Sequence, residues 1–294
     1  MPDLRLTEFS QGKLRISLRA MLILVIVVGG GLGWVTRRAE VQREAVSTIK
    51  RTGAGVLYDW QFKNGILNPK REHWAPKWLV DRIGVDFFGN VVYVGASTRN
   101  VDDSVLTAIG RLKSLERLDL VGSAITDAGL VNLEGLTHLR SLDLAATDVG
   151  DAGLAHLKRL RSIKFLNLNA TKVGDVGLGH LSDLTSLRTL LLGGTKVTDA
   201  GLPHVHRLYL LELLNLVDTD ITDMGLAELK PLISLRHLGI GNTLVSDAGL
   251  PQLGSLPKLD SLSFHSNISN KMLRVTNAGL KELEIALPKV TIDY

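Results

Sequence analysis

The chain has 294 residues, 45% of them apolar, and no cysteine. That length and apolar content can build a large core and exclude disorder over most of the chain; the lack of cysteine excludes disulfides, thiolate metal sites and thiol catalysis. The net charge of +4 sits at the front: residues 1–100 hold 15 Lys and Arg against 8 Asp and Glu, whereas residues 101–294 hold 19 against 22. A nucleic-acid partner needs a basic stripe along the surface that binds it, so none is expected for the mildly acidic remainder.

Residues 1–19 are a short basic segment with Arg5, Lys13, Arg15 and Arg19. Ala20 to Thr36 then runs 17 residues without a charge, closed by Arg37 and Arg38. A bilayer-spanning helix needs about 20 apolar residues, with a lower limit of roughly 17. Ile16 and Leu18 extend the run, Arg19 can snorkel, and Trp34 stands where an interfacial aromatic is favoured. Residues 20–36 therefore read as one transmembrane helix acting as a signal-anchor. A buried core helix and a cleaved leader compete with this reading, but no Ala-x-Ala-like site precedes Arg37. Glu40 and Glu44 offset the cations after the span. The positive-inside rule then favours a cytoplasmic N-terminus and puts the rest of the chain on the non-cytoplasmic side.

Residues 37–84 read as a juxtamembrane helix and a capping region. Val41, Ala45, Val46 and Ile49 fall near helical spacing within a helix from Arg38 to Arg51, which Gly53 and Gly55 end. Val56 to Phe62 alternates as a strand, Lys63-Asn64-Gly65 is a turn signal, and a short helix from about Lys77 to Ile83 follows Pro76. Trp74, Trp78, Leu79, Phe87 and Phe88 are expected to cover the apolar end of the structure that follows.

From residue 85 to 294 the chain repeats itself every 24 residues, about eight times. Ile125-Thr126-Asp127-Ala128-Gly129-Leu130 returns beginning at Val149, Val173, Val197, Ile221 and Val245; Val101 opens a worn copy and Val275 a copy displaced by six extra residues near 265–274. Such a period marks a solenoid. In Leu139-Arg140-Ser141-Leu142-Asp143-Leu144 the leucines alternate as in a half-buried strand. After a turn, Leu154, Leu157 and Leu160 give one apolar helix face. Each repeat is thus a strand and a helix that bury their apolar sides only by stacking on neighbours.

The pattern Leu-x-x-Leu-x-Leu-x-x-Thr followed by a helix resembles the leucine-rich repeat family. The 24-residue period and the Thr-Asp-Ala-Gly-Leu phrase are most similar to bacterial repeats related to the cysteine-containing type of F-box proteins. Thr147, Thr171, Thr195, Thr219 and Thr243 stand where that family often has Asn or Cys. The resemblance implies an α/β solenoid, a horseshoe arc with a parallel sheet on its concave face and helices on its convex face. It also implies that the concave face is the ligand face. No F-box-like domain precedes the repeats, so a ubiquitin-ligase role does not carry over.

Three columns of residues suggest chemistry. Asp103, Asp127, Asp151, Asp175, Asp199, Asp223 and Asp247 invite a calcium reading, but each stands at a helix start, where capping of free backbone N–H groups is the simpler role. His156, His180 and His204 recur at the repeat spacing and form a weak candidate ladder for zinc or for pH response. The outward residues of the strands vary while the leucines do not, so they are free to specify a partner. Phe165, Asn167, Leu191, Leu213 and Asn215 are the expected centre of binding, with Asp119 and Asp143 beside them. No phosphate-binding glycine loop, Gly-x-Ser-x-Gly elbow or His-Glu-x-x-His is present. The expected function is non-catalytic protein binding from a membrane anchor, with no cofactor, nucleic acid or small-molecule substrate. An architectural or adhesive element of the envelope, or a metal- or pH-linked sensor, are the alternatives.

Overall fold

The computed structural model describes residues 18–63, 66–68, 71, 73–265 and 274–293; of residues 18–28 and of Lys63 it describes the backbone alone. The insertion expected at 265–274 therefore lies almost wholly outside the described residues. Helix α1 (Leu18–Arg51) runs unbroken through the position where a junction between two helices is expected. Strand β1 (Gly55–Tyr58), the short pair β2 (Phe62–Lys63) and β3 (Ile66–Leu67), and helix α2 (Lys77–Ile83) lead to β4 (Val91–Gly95). The strand expected from Val56 to Phe62 stops at Tyr58, because Asp59–Gln61 turns as a 3-10 helix.

The repeats add β5 (Arg117–Asp119), β6 (Ser141–Asp143), β7 (Phe165–Asn167), β8 (Thr189–Leu191), β9 (Leu213–Asn215), β10 (His237–Gly239), β11 (Ser261–Ser263) and β12 (Thr291–Asp293). They form one ten-stranded sheet in chain order from β4 to β12, with β1 antiparallel on the outer edge of β4. Register is kept throughout, so Leu118, Leu142, Leu166, Leu190, Leu214, Leu238 and Leu262 stack in one row. Every one of these is buried, as are Leu154, Leu157 and Leu160 on the helix side. Burying one such side chain contributes roughly 2 kcal/mol, and each repeat buries several. The helical side is short and tight: α4 (Asp127–Leu130) and α5 (Asp151–Leu154) are single turns that continue as 3-10 helix.

The Thr column closes each turn. Thr147 Oγ1 donates to the Leu144 carbonyl and Thr171 Oγ1 to the Leu168 carbonyl, both at 2.6 Å. One position of the turns after β5 to β10 is left-handed: Gly122, Ala146, Ala170, Gly194, Asp218 and Asn242 all have φ between 53° and 69°.

The Asp column differs from expectation. From Asp103 to Asp223 each Asp is the first residue of its helical segment and the residue before it stands at the cap, as where Thr126 accepts from the Ala128 N–H at 3.3 Å, whereas Asp247 lies in the turn before Leu250–Ser255. The carboxylate instead reaches into the next repeat. Asp103 Oδ1 accepts from the Thr126 N–H at 2.9 Å and Oδ2 from its hydroxyl at 2.6 Å. The same contact joins Asp127 to Gly150, Asp151 to Gly174, Asp175 to Thr198 and Asp223 to Ser246. It survives the six-residue insertion, since Asp247 accepts from the Thr276 N–H at 2.8 Å. The Gly of each phrase faces the Asp of the repeat before it: a Cβ on Gly153 would lie 2.5 Å from Asp127 Oδ1, and one on Gly177 2.5 Å from Asp151 Oδ1. Asp and Gly are thus two halves of one joint between repeats.

The cap is also built differently. Trp74 and Trp78 are 71% and 68% exposed, so they do not cover the solenoid end. The apolar stripe of α1 does: Ala39, Ala45, Val46 and Ile49 are buried. Gln42, buried among them, donates to Asp86 Oδ1 at 3.0 Å and to the Gly89 carbonyl at 2.9 Å, and accepts from the Val91 N–H at 3.1 Å. The Tyr58 hydroxyl also donates to Asp86, and burial raises its pKa.

Candidate functional site: the outer face of the sheet

Parallel strands lie about 4.8 Å apart. Phe165, Thr189 and Leu213 share one row across β7, β8 and β9, and Asn167, Leu191 and Asn215 share the next. Phe165 and Leu213 are therefore roughly 10 Å apart, with Leu191 between the two Asn. The five expected residues form one half-buried patch on adjacent strands. Asp119 and Asp143 continue the second row on β5 and β6. Tyr93 on β4 extends the first row, beside Arg117; burial and the neighbouring Asp119 raise the pKa of its hydroxyl.

The polar members of the second row have a local duty that the sequence does not advertise. Asp119 Oδ1 accepts from the Val121 N–H at 3.1 Å, Asp143 Oδ1 from Ala145 at 3.0 Å, Asn167 Oδ1 from Asn169 at 3.0 Å and Asn215 Oδ1 from Val217 at 2.9 Å. Each closes the strand end on the backbone two residues on, a turn suited to Asx side chains. Asn167 Nδ2 further donates to Asp143 Oδ2 at 3.1 Å. The premise that structure leaves this row free is thus corrected for Asp119, Asp143, Asn167 and Asn215. Leu191 and Gly239 stand in the same row and have no side-chain oxygen to make the bond.

Both break residues line a hollow of about 400 Å³ over β8 to β11, with Leu213, Asn215, Val217, His237 and His265. Phe165, Asn167, Asp119 and Asp143 lie outside it. Its floor is lowered by missing side chains: a Cβ on Gly193 would meet Asn169 Oδ1 at 3.1 Å, and one on Gly239 would meet Asn215 Oδ1 at 3.0 Å. His265 closes the C-terminal rim, its Nε2 2.8 Å from Asp293 Oδ1. Val217, Gly239 and His237 were not among the residues expected to bind; glycines among larger neighbours make a depression. Along the strand starts, Glu116 pairs with Arg140 at 2.9 Å, Arg236 with Asp260 at 3.2 Å, and Arg188 with Glu212. That rim is mixed in sign, with Arg140, Lys164 and Arg188 consecutive between Glu116 and Glu212.

The histidine ladder does not assemble. His156 Nδ1 lies 2.7 Å from Glu134 Oε1 in the preceding repeat, and the His204 ring stands against Gly179. Among the described residues no three His, Cys, Asp or Glu converge as metal ligands. The Glu134–His156 contact holds the Glu134 pKa below the usual carboxylate value.

The family model described as Leucine Rich repeat matches residues 111–133 and 135–157. Residues 111–157 thus carry leucine-rich repeats. Among solved structures, an internalin (inlF) of Listeria monocytogenes is 24% identical, with a TM-score of 0.51, over 64% of this chain and 49% of its own. This chain thus spans about half the length of that internalin, and the likeness is one of fold. A second internalin, C2 (inlC2) of the same organism, is 22% identical with a TM-score of 0.46, over 66% of this chain and 82% of its own. No curated protein matches.

Proposed function

We propose that the chain is a non-catalytic, membrane-anchored leucine-rich-repeat protein that binds a protein partner through the outer face of its sheet. The observation that carries this reading is the coincidence of Leu191 and Gly239 with the hollow. At both places the row gives up its turn-closing oxygen, and what it gains is an apolar recess flanked by Leu213 and Val217. Apolar anchors in desolvated recesses are what protein hot spots are made of.

The anchor reading rests on the uncharged run 20–36. Among the described residues no helix is long and apolar enough to cross a membrane, and the side chains of 20–28 lie outside them. The charge asymmetry around the run supports repeats on the non-cytoplasmic side. The binding site is tested by placing a photo-crosslinking residue at Leu213 and, separately, at Met224 on the helix side. Protein adducts from position 213 alone are expected; equal adducts from both, or none, would reject the site and favour the architectural alternative. Reporter fusions after residue 294, active on one side of the membrane only, test orientation.

A further inference from the structure

A second recess, of about 690 Å³, lies where α1 meets the first repeat. Trp34, Arg37 and Arg38 line it from α1, Asn90 from the cap, and Arg111 and Lys113 from the turn after α3 (Asp103–Ile109). Four cations and no carboxylate line it. Arg111 is paired with Glu44 at 3.0 Å, which offsets one charge. Two of the others meet neutral partners in the described contacts: Arg38 donates to Asn90 Oδ1 at 2.9 Å and lies 5.6 Å over the Trp34 ring, and Lys113 donates to the Gly110 carbonyl at 2.6 Å. Arg37 is exposed. Cations gathered without counter-charge repel one another, and an anion between them relieves that repulsion.

The position of the recess says which anion. It begins at the last residues of the uncharged run 20–36. A helix advances about 1.5 Å per residue, so Arg38 lies roughly 6 Å beyond Trp34. The headgroup layer on each side of a bilayer is roughly 5–7 Å thick. With Trp34 at the interface, the guanidinium and ammonium groups fall at the level of lipid phosphates. We propose that this recess binds the phosphate of an anionic phospholipid headgroup and so seats the first repeat against the bilayer surface. The proposal rests on the membrane-anchor reading above.

The test is native mass spectrometry of the full chain in detergent, with phosphatidylglycerol and phosphatidylcholine offered at equal concentration. The wild type is expected to keep phosphatidylglycerol on the order of ten-fold more than phosphatidylcholine. Arg37→Gln/Arg38→Gln/Lys113→Gln is expected to lose that preference. The charge-keeping Arg37→Lys/Arg38→Lys/Lys113→Arg and the remote Arg207→Gln/Lys230→Gln should retain it. If the first triple variant unfolds, Arg37→Gln alone, at an exposed side chain, must still weaken the preference. Equal retention of both lipids by the wild type overturns the proposal. Displacement of bound lipid by inorganic phosphate overturns the lipid assignment in favour of a free anion. The anchor itself is read separately, by whether the chain stays with phosphatidylcholine vesicles through an alkaline carbonate wash. Its release would sink the anchor reading without touching the selectivity measured in micelles.

Discussion

Asp127 Oδ1 holds the Gly150 N–H at 2.6 Å, and the same oxygen lies 2.5 Å from where a Cβ on Gly153 would stand. The carboxylate therefore needs both a donor and an empty place in the following repeat. Gly153→Ala should destabilise the chain by roughly 1–3 kcal/mol, because the intruding methyl must push the carboxylate off its partner. Gly254→Ala, with nothing within 4 Å of the added carbon, should be neutral or stabilise slightly. Urea unfolding of both variants checks the pair; equal midpoints would show that the joint tolerates the methyl.

Ala146 and Ala170 hold a left-handed turn at φ 54° with a Cβ in place. That conformation costs an L-residue roughly 1–2 kcal/mol, while glycine loses more freedom on folding. Each change to Gly should raise stability by up to about 1 kcal/mol, and because the two turns are hydrogen-bonded neighbours the double change need not equal the sum. A fall in the urea midpoint would mean that the alanine methyl makes a contact worth more than the strain.

Asp247 has its pKa lowered, first by the Thr276 hydroxyl and then by the Thr276 N–H. A carboxylate whose folded pKa lies below its unfolded value of 3.8 adds stability that is present above that value and lost as pH falls through the folded one. Acid titration of melting should therefore show a component below pH 3.8 that Asp247→Asn removes. Thr276→Val should shrink it. An unchanged acid limb in both variants would rule the contact out as a source of stability.

Zinc should leave the melting temperature and the imidazole resonances of His156, His180 and His204 unchanged, because His156 is engaged by Glu134 and among the described residues no third ligand converges on it. A melting temperature that rises with zinc and falls back in His156→Ala would restore the ladder.

Much of the fold is legible in the sequence because its signals are local. Leu142 and Leu144, two apart, specify a strand, and Leu154, Leu157 and Leu160, three apart, specify the helical face; all five are buried where those periods put them. Helix α2 also falls where the pattern places it. What was misread depends on contacts between repeats. Asp127 looks like a cap from its neighbours in sequence, and only its 23-residue reach to Gly150 reveals the joint. The pairing of each Asp from Asp103 to Asp223 with a Gly 26 residues later was in the sequence, but a spacing beyond one repeat is not a local signal. The sheet face was partly legible: Leu191 and Leu213 sit in the hollow. Asn167 and Asp143 are closing turns, a role that no periodicity marks.

The Asp–Gly joint also makes the repeats interchangeable. Each unit presents a plug to the unit after it and a socket to the unit before it, both made from its own residues. The contact from Asp247 to Thr276 spans 29 residues, so the coupling does not depend on the length of chain between plug and socket. A whole unit can then be copied in or cut out without leaving an unmatched end, and the surface available to a partner grows or shrinks by one strand at a time. The length of this protein is an adjustable quantity, set by how many links are strung together rather than by any demand of the core.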